Sequence, residues 1–69
     1  MSLVKRSLSL SGHQTSVALE PEFWSALETM AGAEGVTVSA LLRRLDETRG
    51  TRPLASAARV AALGWAMQG

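Results

Sequence analysis

Residues 15 to 21 read Thr15-Ser16-Val17-Ala18-Leu19-Glu20-Pro21, and this order governs how the rest of the chain must be arranged. Thr15, Val17 and Leu19 alternate with Gln14, Ser16 and Ala18, the period-2 pattern of a strand with one face toward a core. Pro21 is a preorganised first-turn residue, and Glu20 and Glu22 are favourably placed against the positive end of a helix dipole. The stretch is a short strand feeding a helix. A lone strand leaves two rows of N–H and C=O groups unpaired, so it requires either a second copy of itself or a neighbouring hairpin arm. A symmetric dimer is the leading expectation.

Downstream, Phe23, Trp24, Leu27, Met30 and Ala31 recur at the i, i+3, i+4, i+7 spacing of a core-facing helical stripe, which Gly35 ends as a left-handed cap. Thr37 is the N-cap of a second helix with Val38, Leu41, Leu42 and Leu45 on its apolar side, ending before Gly50. After the Gly50-Thr51-Arg52-Pro53 break, residues 54 to 67 restart a helical pattern. Leu54, Ala58, Ala61 and Trp65 lie on one stripe and Val60, Leu63 and Met67 on another flank, an apolar arc broad enough to pack against both its own subunit and a partner. Upstream, Arg6-Ser7-Leu8-Ser9-Leu10 alternates polar and apolar before a turn at Ser11-Gly12-His13. That segment is either a hairpin strand or a serine-rich arm that stays unordered.

A chain of 69 residues accommodates one domain, expected over residues 1–69, and at this size burial of its own apolar surface leaves it marginal. With no cysteine and one histidine, a disulfide framework and a Cys/His zinc site are excluded, leaving oligomerisation as the expected staple. The composition, 46% hydrophobic and 19% charged, is that of a folded chain, and the net charge of +1 is far from a strongly basic nucleic-acid-binding domain. No apolar run reaches the roughly 18 residues of a membrane span, and no apolar segment follows Lys5-Arg6 as in a signal peptide, so the cytoplasm is expected.

With the strand, the Glu20-Pro21 helix start and the Gly35-Val36-Thr37-Val38-Ser39-Ala40-Leu41-Leu42 helix start in order, the chain resembles the ribbon-helix-helix family of small bacterial DNA-binding repressors. The resemblance runs from Gln14 to Arg49. It implies a mostly α homodimer in which one strand per subunit pairs into an intersubunit antiparallel ribbon that enters the major groove. Residues 1–13 would be the arm or hairpin strand, 14–50 the core unit and 51–69 an additional C-terminal helix. Val17, Leu19, Trp24 and Leu41 would form the dimer core.

Carried onto this sequence, the base-reading face is Gln14, Ser16 and Ala18: a glutamine can bridge adenine N6 and N7, a serine can donate or accept, and an alanine can touch a thymine methyl. Lys5, Arg6 and the helix start at Thr37, Val38 and Ser39 are the expected phosphate contacts, the amides of Val38, Ser39 and Ala40 being free of intrahelical partners. The alternative for Gln14, Ser16 and Ala18 is an ordinary solvent-exposed strand face, and for Thr37 and Ser39 simple capping. Arg43 faces Asp46 and Glu47, and Asp46 faces Arg49, at spacings that favour a mutually paired surface.

If the arm folds back as a hairpin, a dimer paired through its central strands has four strands, whose backbones span about 14 Å against a major groove of about 12 Å. Either the arm peels away on binding and brings Lys5 and Arg6 to phosphates, which is the expectation, or the surface serves another partner. His13 lacks an activating arrangement beside Ser11, Thr15 and Ser16, and no phosphate loop, dinucleotide fingerprint, metal cluster or carboxylate pair is present. The chain is expected not to be an enzyme and to need no cofactor. A homodimeric transcriptional regulator bound to double-stranded DNA is the first functional reading; a dimerisation or protein-interaction module of the same fold is the second.

Overall fold

The structure is a computed structural model that describes residues 2–68. Two strands, β1 (Val4–Leu10) and β2 (His13–Leu19), precede three helices, α1 (Pro21–Glu34), α2 (Val38–Thr48) and α3 (Leu54–Gln68). The partner that β2 requires is β1 of the same chain, so the N-terminal segment is a hairpin strand. Ser11 and Gly12 form the whole connection, and both have positive φ, 51° and 82°. This is the mirror-image turn whose twist matches that of flanking strands. His13, expected in the turn, opens β2 instead, because two residues suffice to reverse the chain.

The register sets Val4, Arg6, Leu8 and Leu10 opposite Leu19, Val17, Thr15 and His13, and Lys5, Ser7 and Ser9 opposite Ala18, Ser16 and Gln14. Residues directly across an antiparallel pair share a face. The first set forms the inner face, where Leu10, Val17 and Leu19 are buried, and the second forms an open face. Leu10 and His13 close a two-residue turn as a hydrogen-bonded pair, so by alternation Lys5, Ser7, Ser9, Gln14, Ser16 and Ala18 occupy the non-hydrogen-bonded sites. Their backbone groups point out along the two edges, and none of them bonds to another segment among the described residues.

Local signals set the helix ends. Pro21 opens α1 after Glu20, whose carbonyl accepts from the Phe23 and Trp24 amides at 2.9 and 3.2 Å. Gly35, at φ 71°, ends it, with its amide and that of Val36 donating to the Gly32 and Ala31 carbonyls. A left-handed residue here satisfies carbonyls that would otherwise lack donors. Thr37 caps α2, its Oγ1 accepting from the Ala40 amide at 3.0 Å.

The three helices pack on the inner face, α2 against β1 and both α1 and α3 against β2. The core joins Trp24, Leu27, Met30 and Ala31 of α1, Leu41 and Leu42 of α2, and Ala58 and Ala62 of α3 to the strand residues. Val17, Leu19, Trp24 and Leu41, which the sequence assigns to a dimer core, are at most 3% exposed within one chain. The reason is that β1 and α3 supply the surfaces expected from a second copy, so burial of these four residues does not itself require a partner. On α3, Leu54, Ala58, Ala61 and Trp65 turn inward as expected, whereas Val60, Leu63 and Met67 are 52, 58 and 77% exposed.

Candidate nucleic-acid interface

The open face of the hairpin is a two-by-three array: Lys5, Ser7 and Ser9 along β1 and Ala18, Ser16 and Gln14 along β2. All are exposed except the half-buried Ala18, and the array contains one cation and no carboxylate. Gln14 and Ser16 therefore stand where the sequence places base-reading residues, with side chains directed away from the core. In the β1 row beside them, Lys5 is an expected phosphate contact, whereas Ser7 and Ser9 are not assigned by the sequence reading, although the alternation of serine with leucine from Ser7 to Leu10 carries that signal.

Lys5 and Arg6, adjacent in sequence, lie on opposite faces because successive strand residues alternate. Lys5 is in the open array. Arg6 points inward: its guanidinium stacks over the Trp24 ring, 4.4 Å from the centroid, and pairs with Glu28 at 3.5 Å. The structure thus separates the two expected phosphate contacts. Trp24 also donates its indole Nε1–H to the Val4 carbonyl at 2.7 Å. These contacts fasten the N-terminal half of β1 to α1, so that Arg6 acts on the arm through cation–π attraction and an ion pair.

At the start of α2, Thr37 takes the Ala40 amide, which the sequence reading counts as free, and the first intrahelical bond runs from the Leu41 amide to the Thr37 carbonyl at 3.0 Å. The amides of Val38 and Ser39 remain without a protein acceptor among the described residues, as the geometry of a helix start dictates. Thr37 and Ser39 are exposed and Val38 is half-buried.

Charge placement differs in part from the same-helix pairing rule. Asp46 and Arg49 do pair, at 2.7 Å, but Arg44 reaches back to Glu34 of α1 at 2.7 Å, and Arg43 has no carboxylate partner among the described residues. Arg59 of α3 bonds Glu20 at 3.0 Å and lies over Phe23, tying α3 to the junction of β2 and α1. The Glu20 carboxyl is held below its ordinary range, chiefly by a backbone hydrogen bond and then by Arg59. Of the seven cationic side chains, Lys5, Arg43 and Arg52 are without ion pairs among the described residues.

No three potential metal-ligating side chains come together among the described residues, and no helix there is long and apolar enough to cross a membrane. Among solved structures, an uncharacterized protein from Bordetella pertussis Tohama I is similar to this chain. It shares 38% identity and a TM-score of 0.84 over 96% of this chain and 57% of the other. The chain thus spans little more than half the length of that relative. No curated protein matches it. Residues 3–66 match the profile of the ribbon-helix-helix domain, and with nearly its full length inside that match the chain belongs to the ribbon-helix-helix family.

Proposed function

We propose that the protein is a homodimeric, sequence-specific DNA-binding regulator of transcription, acting in the cytoplasm as a binding protein rather than an enzyme. The observation that carries this reading is the open hairpin face, polar, free of carboxylates and turned away from the core. Gln14 and Ser16 on that face read base edges, with Ala18 against a thymine methyl. Lys5 and the Thr37–Ser39 helix start hold phosphates. Arg6 reaches a phosphate only by leaving Trp24 and Glu28. Two surfaces are open to a second copy: the outer edge of β2, and the α3 stripe of Val60, Leu63 and Met67.

Titration of random duplex DNA with salt tests the reading, because neutralised phosphates release counterions and affinity falls steeply as salt rises. Ser39→Glu should weaken all sequences alike, while Gln14→Ala should shift preference by about 1–3 kcal/mol at one base position if the contact is bidentate. A salt-independent interaction, or none, would refute DNA binding. The second reading, an interaction module without DNA binding, is favoured by the exposed apolar stripe of α3 and by the ion pairing of four of the seven cations. It is the conclusion if copies associate and duplex DNA is ignored.

A further inference from the structure

We infer that the groove between α2 and α3 binds a small aliphatic carboxylate, its tail between the two helices and its carboxylate on Arg52. The inference stands apart from the DNA-binding reading and begins with how the chain passes from one helix to the next. α2 ends at Thr48 and α3 starts at Leu54, so the last turn of one meets the first turn of the other across residues 49–53. The two helices enclose a groove of about 230 Å³ walled by Leu45, Ala57, Val60 and Ala61. Leu45 lies four residues before Arg49 on the chain, and Ala61 four residues after Ala57, each step about 6 Å of helix. The groove is therefore apolar at one end and cationic at the end nearest the link. An aliphatic cavity of about 150 Å³ already takes up benzene, so this space suits a chain of about six carbons.

The two arginines at the cationic end are not equivalent. Arg49 donates from Nε to the Asp46 carboxylate at 2.7 Å and from a terminal nitrogen to the Arg52 carbonyl at 2.8 Å. Its charge is matched, and it pins the link. Arg52 is exposed, has no carboxylate partner among the described residues, and donates to the Ser56 hydroxyl at 3.3 Å. That contact holds the guanidinium toward the start of α3, where the helix dipole also favours an anion. Most of the five-donor arginine fork, whose geometry matches a carboxylate, stays open. Thr48 also lines the groove but adds no donor, because its hydroxyl faces the Arg44 and Leu45 carbonyls of its own helix at 3.2 and 3.4 Å.

Charge and wall chemistry select the ligand. Arg49, Asp46 and Arg52 together leave one positive charge uncompensated, which a single carboxylate neutralises. A phosphate monoester carries about −1.5 to −2 and would bring excess negative charge against an apolar wall. No aromatic side chain is among the described lining residues, so the wall suits an alkyl tail rather than a stacked ring.

Titration of the full chain with sodium hexanoate, followed by amide chemical shifts, tests the inference against acetate and hexanol as probes. Hexanoate should shift the amides of Leu45, Ala57 and Ala61 saturably. It should bind about tenfold or more tighter than acetate, whose missing methylenes leave the wall wet, and about tenfold tighter than hexanol, which makes no charge-assisted bond. Arg52→Gln alters an exposed side chain and should weaken hexanoate about tenfold while leaving hexanol unchanged. Arg52→Lys should restore only part of the loss, since an ammonium lacks the fork.

Equal affinity for hexanoate and acetate would show an adventitious ion only, held by a surface arginine, and would overturn the inference. So would equal affinity for hexanoate and hexanol, which removes Arg52 from the site, or saturable shifts that spare Leu45, Ala57 and Ala61. The titration is repeated at rising protein concentration. An unchanged hexanoate affinity supports a groove that stays open, and an affinity that falls shows a second copy covering it and overturns the assignment.

Discussion

Trp24→Phe should loosen β1 selectively, and the size of the effect follows from the contacts the indole makes. Phenylalanine retains a ring in the core but cannot donate to the Val4 carbonyl, ending the 2.7 Å hydrogen bond. A hydrogen bond of this kind contributes about 0.5–1.5 kcal/mol net. Arg6, 4.4 Å above the indole, loses part of a cation–π attraction of about 0.5–1 kcal/mol, phenyl being the weaker partner. Together the local loss is about 0.5–2 kcal/mol, which corresponds to roughly 2- to 30-fold more frequent opening of the arm. Native-state hydrogen exchange reads it directly. The amides of Arg6 and Leu8, at hydrogen-bonded positions of the ladder, should speed up by that factor. Those of Leu42 and Leu45 report global opening and should change only by the cost of the smaller core side chain. Equal acceleration at all four positions would refute the reasoning, since it would mean that Trp24 stabilises the whole core and does not latch the arm. Arg6→Ala, which keeps the indole and its bond to Val4 but removes the whole stack and the Glu28 pair, should speed the same two arm amides and leave those of Leu42 and Leu45 unchanged.

Leu42 is completely buried, so Leu42→Ala should cost about 2–5 kcal/mol in urea unfolding, lowering the midpoint at unchanged slope. A Val60→Asp/Leu63→Asp variant changes exposed positions and should retain its helical circular dichroism, while light scattering falls from about twice to about once the chain mass of 7.3 kDa. An unfolded variant, or an unchanged mass, would count against α3 as the contact between copies. The lowered pKa of Glu20 makes stability depend on pH in a defined direction. A carboxyl whose pKa is depressed by folding contributes fully above its unfolded pKa, and the contribution is lost as pH falls through the folded value. Urea midpoints measured from neutral pH into acid should therefore fall less steeply for Glu20→Gln than for wild type.

What was legible in the sequence was what neighbouring residues decide. Pro21 at a helix start, Gly35 at a helix end, Thr37 as a cap and the spacing of Trp24, Leu27, Met30 and Ala31 each act within a few residues, and each stands in the structure as read. The arm was ambiguous because Arg6 to Leu10 satisfies both a strand pattern and a serine-rich terminus. What fixes it is the ladder with β2 together with contacts such as the Trp24 bond to Val4, twenty residues away, which no periodicity announces. The same blindness applies to Arg44, whose acid lies on another helix at Glu34, and to Arg6, where adjacency to Lys5 hid the alternation that turns it inward. Of the candidate site, Gln14 and Ser16 were recognisable from strand phase alone, but the row of Lys5, Ser7 and Ser9 becomes visible only once β1 has a register.

The two-residue turn at Ser11 and Gly12 also bears on how the protein reaches its fold. Strands separated by so short a link close a local loop, and hairpins form in about 1–10 μs. Refolding of β2 against β1 is thus a first-order event whose rate is independent of dilution. In stopped-flow refolding, a phase reporting hairpin formation should keep its rate as the chain concentration is lowered, and any slower phase that scales with concentration belongs to the meeting of two chains. Newly made protein consequently has β1 paired with β2 before it meets any other chain, so the edge of β2 that faces β1 is closed to unrelated strands from the outset.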